Sequence, residues 1–274
     1  MLEVVFVIVI LGIVASIGAE LIAKVYENYI VQRAQHRASI KTQLAINQIA
    51  NRLRYAIPGT IVRRVGKTGT PEFATETMII DPSGETYTVL QWVASDGDSF
   101  EAISSSASSG TARRPGWSGF CDINASASNR ITLSTPGSNL DLTNTIQTNL
   151  GRTGKFAIYF PNDTNGTNVP VAHYGTGAGQ TITLDNNATR IVERYKLAWT
   201  SYALVVENGD LNLYYNFLPT TGTAIGATNM ILLKNVTNFK FETRGQTTRV
   251  KLCVEENIGE GNVTIPSCKE KAVF

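Results

Sequence analysis

Glu3 is the first ionisable side chain of the sequence, and the apolar run VVFVIVILGIVASIG follows it directly. A carboxylate heading such a run is costly in hydrocarbon unless a cation meets it. The first Lys or Arg is Lys24, so the partner must come from outside the segment. That points to assembly rather than catalysis. Modification is a second candidate chemistry. Asn-x-Ser/Thr sequons, the acceptor pattern for N-glycosylation, occur at Asn124, Asn162, Asn165, Asn187, Asn235 and Asn262. Thiol chemistry is the third. Cys253 and Cys268 bracket VEENIGEGNVTIPS, read as a loop, and Cys121 stands apart. Three cysteines suit an oxidising compartment if two pair and one is left over. A bridge across a loop of this size contributes about 3 kcal/mol in the chain-entropy model. Pairing of Cys121 with either of the other two is the alternative.

Signals for enzymatic chemistry are weak, and no catalytic residue, cofactor or metal is expected. Gly175-Thr-Gly177-Ala-Gly179-Gln lacks the Gly-Lys-Ser/Thr of a phosphate loop and reads as a loop between strands. Asp96-Gly-Asp98-Ser has too few spaced acids for a calcium loop and reads as a tight turn. His36 and His173 are the only histidines, and His36 sits on a predicted long helix, away from any shared site. The aromatics Trp92, Trp117, Trp199, Tyr195, Tyr202, Tyr214 and Tyr215 read as sheet packing. A net charge of +2 gives no reason to expect a nucleic-acid partner. Only 17% of residues are charged, while Asn, Thr, Ser and Gly abound, a surface that suits an exported protein.

The elements that must position these groups begin with the apolar run. A core helix would show one polar face, and Val4 to Ala15 shows none. A secretory signal would carry a basic stretch, and none is visible. A membrane helix fits better. Val4 to Ala19 spans about 24 Å, short of the roughly 30 Å hydrocarbon core. Extension to Tyr26 closes the gap and brings Glu20 and Lys24 near the interface. Beyond it Leu21, Ile22, Val25, Tyr29, Ile40, Leu44, Ile49, Leu53 and Ile57 predict one stripe facing a core. Ile30, Val31 and Ile46 fall off that stripe. Pro58-Gly59 ends the pattern. The expectation is one helix of about 55 residues, roughly 80 Å long. Its first half is apolar all round and needs lipid or copies of itself.

After Gly59 the period becomes two. Strands are predicted at Thr60–Arg64, Thr77–Ile80, Thr86–Val93, Lys155–Phe160, Met230–Lys234, Phe239–Thr243 and Thr248–Glu255. Tyr195–Val206 and Leu211–Phe217, joined by Asn208-Gly209, predict a hairpin with a type I′ turn. Ser104 to Gly154 reads as long surface loops. There is no internal repeat. The fold class is therefore α+β, with a long helix and an antiparallel sheet packed on its C-terminal half. Residues 1–25 form the membrane or filament-core half of the helix. Residues 26–274 form the globular part, including the amphipathic half-helix 26–57.

Glu3, the run VVFVIVILGIVASIG with Gly12 inside it, and the long helix resemble the type IV pilin and pseudopilin family. LLKNVTNFKFETRG, VKLCVEE and SCKEKAVF resemble the carboxyl half of larger, minor-pilin-like members, including pseudopilins of type II secretion. The resemblance implies a structural subunit that polymerises with copies of itself. It implies a prepilin peptidase and an inner-membrane assembly platform as partners. It also implies residence in the inner membrane before assembly and on the cell surface afterwards. Glu3 would neutralise the N-terminal amine of a neighbouring subunit, and Cys253 would pair with Cys268. On the family's register the sequence starts two residues after the mature N-terminus. Many major pilins carry a proline where this chain has Glu20, so Gly12 and Gly18 become the points at which the helix would soften, each by about 1 kcal/mol relative to Ala. Four sequons also carry an acid two residues earlier: Asp122 before Asn124, Asp163 before Asn165, Asp185 before Asn187 and Glu260 before Asn262. This resembles the extended acceptor motif of a periplasmic bacterial oligosaccharyltransferase, with Asn187 the strongest candidate. Turn chemistry is the competing explanation, since Asp and Asn cluster in loops. A membrane-anchored β-rich binding module is the alternative of a different class.

Overall fold

The computed structural model describes residues 2–73, 86–104, 113–152, 155–244, 247–258 and 263–273. Helix α1 runs unbroken over Leu2–Leu53, about 78 Å at 1.5 Å per residue. It stops four residues before the predicted end. Arg54 to Ala56 close a tightened last turn, and the Ile57 N–H bonds Val93 O at 2.9 Å, so the chain before Pro58 is already extended. A residue preceding proline is biased that way.

The rest of the chain forms β1 (Val62–Arg64), β2 (Glu72–Phe73), β3 (Val89–Ala94), α2 (Gly97–Glu101), β4 (Thr132–Ser134), α3 (Leu140–Asn149), β5 (Phe156–Tyr159), β6 (His173–Ala178) and β7 (Thr181–Leu184). These are followed by β8 (Lys196–Ala198), β9 (Thr200–Glu207), β10 (Asp210–Phe217), β11 (Asn229–Leu233), β12 (Val236–Arg244), β13 (Thr247–Ile258) and β14 (Val263–Val273). Every strand pairing is antiparallel, which bears out the α+β class. Instead of one sheet the described residues form three: β11-β10-β9-β3-β1-β2, β12-β13-β14 and β4-β7-β6-β5-β8. The predicted strand Thr77–Ile80 lies outside the described residues.

Helix α1 buries its C-terminal half against β13 and β14, with Ala38, Ala45, Ile49, Ala50 and Leu53 sharing a core with Leu90, Trp92, Leu204, Val250 and Leu252. The buried face matches the predicted stripe only in part: Ile49, Leu53 and Ile57 are buried as expected, but earlier members of the stripe are not. Ile46 and Ile49 are each 1% exposed, whereas Ile40 and Leu44 are 45% and 58% exposed. Ala34, Ala38, Thr42 and Ala45 supply the rest of the inner face. Small side chains let a sheet approach closely, and a pattern built on large apolar residues overlooks them. Lys41 pairs with Glu256 at 3.1 Å, and the Lys271 ammonium donates to Asn47 Oδ1 at 2.8 Å, so polar contacts flank this packing.

The predicted loop region Ser104–Gly154 is corrected. It contains β4 and the ten-residue α3, part of an insertion between the adjacent strands β3 and β9. This insertion has its own core, including Trp117, Leu133, Leu140, Phe156, Ile182, Leu197 and Trp199. The buried residues of α3 are Leu140, Thr143 and Gln147, a mostly polar face that apolar periodicity does not register. The glycine run is also corrected from loop to strand over 175–178, while Gly179 lies in the turn before β7. Gly175 and Gly177 lie in β6, and a Cβ on Gly177 would come within 2.7 Å of Leu140, so glycine there lets the start of α3 lie on the strand. The predicted strand Tyr195–Val206 is broken at Trp199, where the chain passes from the five-stranded to the six-stranded sheet. Its hairpin is as expected: Asn208 and Gly209 have φ of 52° and 79°, both positive as a type I′ turn requires.

Candidate assembly helix and modification sites

The N-terminal half of α1 meets nothing else in the described structure. Fourteen large apolar side chains from Val4 to Val25 are exposed. At about 1.5 kcal/mol per side chain, leaving them in water forgoes on the order of 20 kcal/mol. That exceeds the stability of an ordinary domain, about 5–15 kcal/mol. The helix is long and apolar enough to cross a membrane. Gly12 and Gly18 lie within continuous α-helix, with open space where a Cβ would stand. Glu20 and Lys24 pair with each other at 2.7 Å, one helical turn apart, so two of the charges nearest the apolar run answer one another. Glu3 stands in the first turn, and among the described residues no cation meets it.

Cys253 and Cys268 form a disulfide, and Cys121 is free and buried. This removes the alternative pairings of Cys121. The bracketed segment is not a simple loop, because β13 and β14 extend through most of it as a hairpin in which the two cysteines are direct cross-strand partners. Their Cα atoms are 4.1 Å apart, in the range of a closely approaching antiparallel pair. The bridge therefore staples the two strands that cradle α1. Burial pushes the Cys121 thiol up, and its Sγ lies 3.7 Å from Ser126 Oγ, an arrangement for packing rather than reactivity.

The sequons at Asn124, Asn165 and Asn187 all lie on exposed turns, but in each the preceding acid has structural work. Asp122 Oδ1 accepts from the backbone N–H groups of Asn124 and Ala125, both at 3.0 Å. Asp163 is buried: Oδ2 lies 2.6 Å from His173 Nε2, and Oδ1 accepts from the Thr189 hydroxyl at 2.9 Å. Asp185 pairs with Lys155 at 2.7 Å. The Asp163–Thr189 bond joins the acid of the Asn165 sequon to the hydroxyl of the Asn187 sequon. The side-chain amides of Asn124 and Asn187 make no hydrogen bond among the described residues, whereas Asn165 Oδ1 accepts three. Asn162 and Asn235 are exposed, with φ of 58° and 56°. Asn262 and Glu260 lie outside the described residues.

Two polar clusters escaped the sequence reading. The Asp163–His173 pair joins residues ten apart across a loop, with no motif to announce it. Asp96, read as part of a tight turn, is the N-cap of α2, accepting from Ser99 N–H at 2.9 Å and from Gln147 Nε2 at 3.1 Å. Burial raises its carboxyl above the usual range. Its only sequence signal is an Asp placed three residues before a serine.

These features define an α+β protein with a long apolar N-terminal helix and an antiparallel β domain, an architecture compatible with that of pilins. No protein-family model matches this chain, nor does any curated protein or solved structure.

Proposed function

We propose that this chain is a non-enzymatic structural subunit of a type IV pilus-like filament, held in the inner membrane by α1 before assembly. The observation that carries this reading is the division of α1. One half is embedded in its own β domain, while the other is exposed, apolar and headed by a Glu3 that has no partner among the described residues. Transfer from lipid into a bundle of like helices keeps that surface out of water throughout. Two charges in hydrocarbon are tolerable as a pair, so Glu3 takes the N-terminal amine of a neighbouring copy as its partner. A prepilin peptidase and an inner-membrane platform supply processing and assembly. Glycans on Asn124, Asn165, Asn187 and Asn262 would face outward from the filament; an intact mass equal to the polypeptide mass removes that part of the reading.

Electron microscopy and immunoblotting of sheared surface material test the proposal. Abundant filaments containing the chain are the expected result. Chain found in trace amounts within filaments, or in a secretion complex, supports the minor-pilin or pseudopilin reading that its carboxyl half resembles. Chain confined to the membrane as a monomer supports an anchored binding module and ends the filament reading.

A further inference from the structure

A cleft far from the apolar half-helix combines features of a small-ligand site. One wall is the turn after α1, Ile57 to Gly59, and the other is the loop between β5 and β6. The walls meet closely: a Cβ on Gly59 would lie 2.9 Å from Pro170 Cγ, and Gly59 has φ of 79°. Between them is a cavity of about 430 Å³, within the range of about 300–1,000 Å³ usual for ligand pockets.

The loop is held rigidly before any ligand arrives. Asn165 Oδ1 accepts from the N–H groups of Thr167 and Val169 and from the Thr167 hydroxyl, at 2.8–3.0 Å. Val171 N–H bonds Asp163 O at 3.0 Å, and the buried Asp163–His173 pair ties the base of the loop to β6. A preformed wall spares a ligand the cost of ordering it.

The lining has an unbalanced charge. Lys196, on β8 at the edge of the five-stranded sheet, has no hydrogen bond or ion pair among the described residues. The other charged lining residue, Asp163, has both oxygens occupied. Asn162 and Asn168 also line the cleft, and their side-chain amides have no hydrogen-bond partner among the described residues. Ile57, Pro58 and Pro170 supply apolar surface beside them. Although the Lys196 side chain reaches solvent, the surrounding protein desolvates it enough to lower its pKa, a cost that an incoming carboxylate relieves.

We propose that this cleft binds a hydroxylated carboxylate of the uronic-acid type. Its carboxylate meets Lys196, its hydroxyls meet the Asn162 and Asn168 amides, and its C–H face lies on the proline-lined wall. A neutral sugar leaves Lys196 unanswered, and a bare carboxylate leaves the amides and apolar wall unused. The inference stands whether or not the chain polymerises.

The test uses the full chain in detergent micelles with D-glucuronate as probe and D-glucose and acetate as comparisons. Saturation-transfer NMR and calorimetric titration measure binding. Glucuronate is expected to bind at least tenfold more tightly than either comparison. Lys196→Met should weaken it at least tenfold. Asn168→Gly keeps the positive φ available while deleting the amide, and should weaken it several-fold. Lys251→Met, on the exposed face of β13, should leave it unchanged. Absence of glucuronate binding, binding that survives Lys196→Met in a chain with unaltered thermal unfolding, or acetate binding as tight as glucuronate each overturns the proposal.

Discussion

The two halves of α1 share one backbone conformation and differ in everything that surrounds it. From Val4 to Val25 large side chains project outward on all sides and touch no other element. From Ala34 to Leu53 the inner face is mostly small, and it is buried on β13 and β14. Hydrophobicity thus marks the half that the monomer leaves uncovered, and small residues mark the half that the monomer covers. Close sheet packing needs short side chains, whereas lipid or a helix bundle accepts long ones.

The largest expected effect breaks the upper half. Glu3→Leu should leave membrane insertion intact and reduce incorporation into sheared filaments at least tenfold, read by immunoblot; normal incorporation removes the amine-pairing role. The lower half is tested by Ile49→Ala, which should cost about 2–4 kcal/mol through the cavity it leaves. Leu44→Ala, five residues earlier and outward-facing, should stay within about 0.5 kcal/mol. Urea unfolding of the detergent-solubilised chain, followed by tryptophan fluorescence, measures both. Equal losses would mean that the buried face is wrongly assigned.

Replacing Cys253 and Cys268 together by serine should cost about 2–4 kcal/mol by freeing the hairpin under α1. Membrane insertion should not change, because the upper half makes no contact with that hairpin. The smallest effect concerns Asp96. Its folded pKa is raised by burial above the ordinary 3.8, so its contribution is complete below that value and lost as pH rises through the folded pKa. Asp96→Asn removes this term while retaining a capping oxygen. The variant's urea midpoint should therefore gain on the wild type between pH 4 and pH 7, and parallel curves would contradict the assignment.

Legibility followed the strength of local patterns. The apolar run, the Asn208-Gly209 hairpin and most strands of the six- and three-stranded sheets were readable because their signals lie within a few residues. The α1 inner face was read correctly at Ile49, Leu53 and Ile57 but misjudged before them, because alanine carries little weight in an apolar count. Helix α3 was missed because Thr143 and Gln147 fill its buried face. The Asp163–His173–Thr189 cluster was invisible, since its members share no spacing and meet only when loops fold together. Arg64 is similar: its buried guanidinium is held by Gln91 Oε1 and the carbonyl oxygens of Gly69, Gly222 and Thr223, groups drawn from three separate segments.

By itself the sequence determined that a helix near 80 Å long would be half unburied, that an antiparallel β domain would follow, and that two cysteines lay close enough in the chain to bridge. These rest on local propensity and on apolar surface too continuous to hide in one domain. Only the tertiary structure decided which face of the helix is covered, that the described β region splits into three sheets and two main cores, and that the sequon acids Asp122, Asp163 and Asp185 hold turns and polar pairs. Those outcomes depend on which distant segments meet, and a short-range pattern carries no information about that.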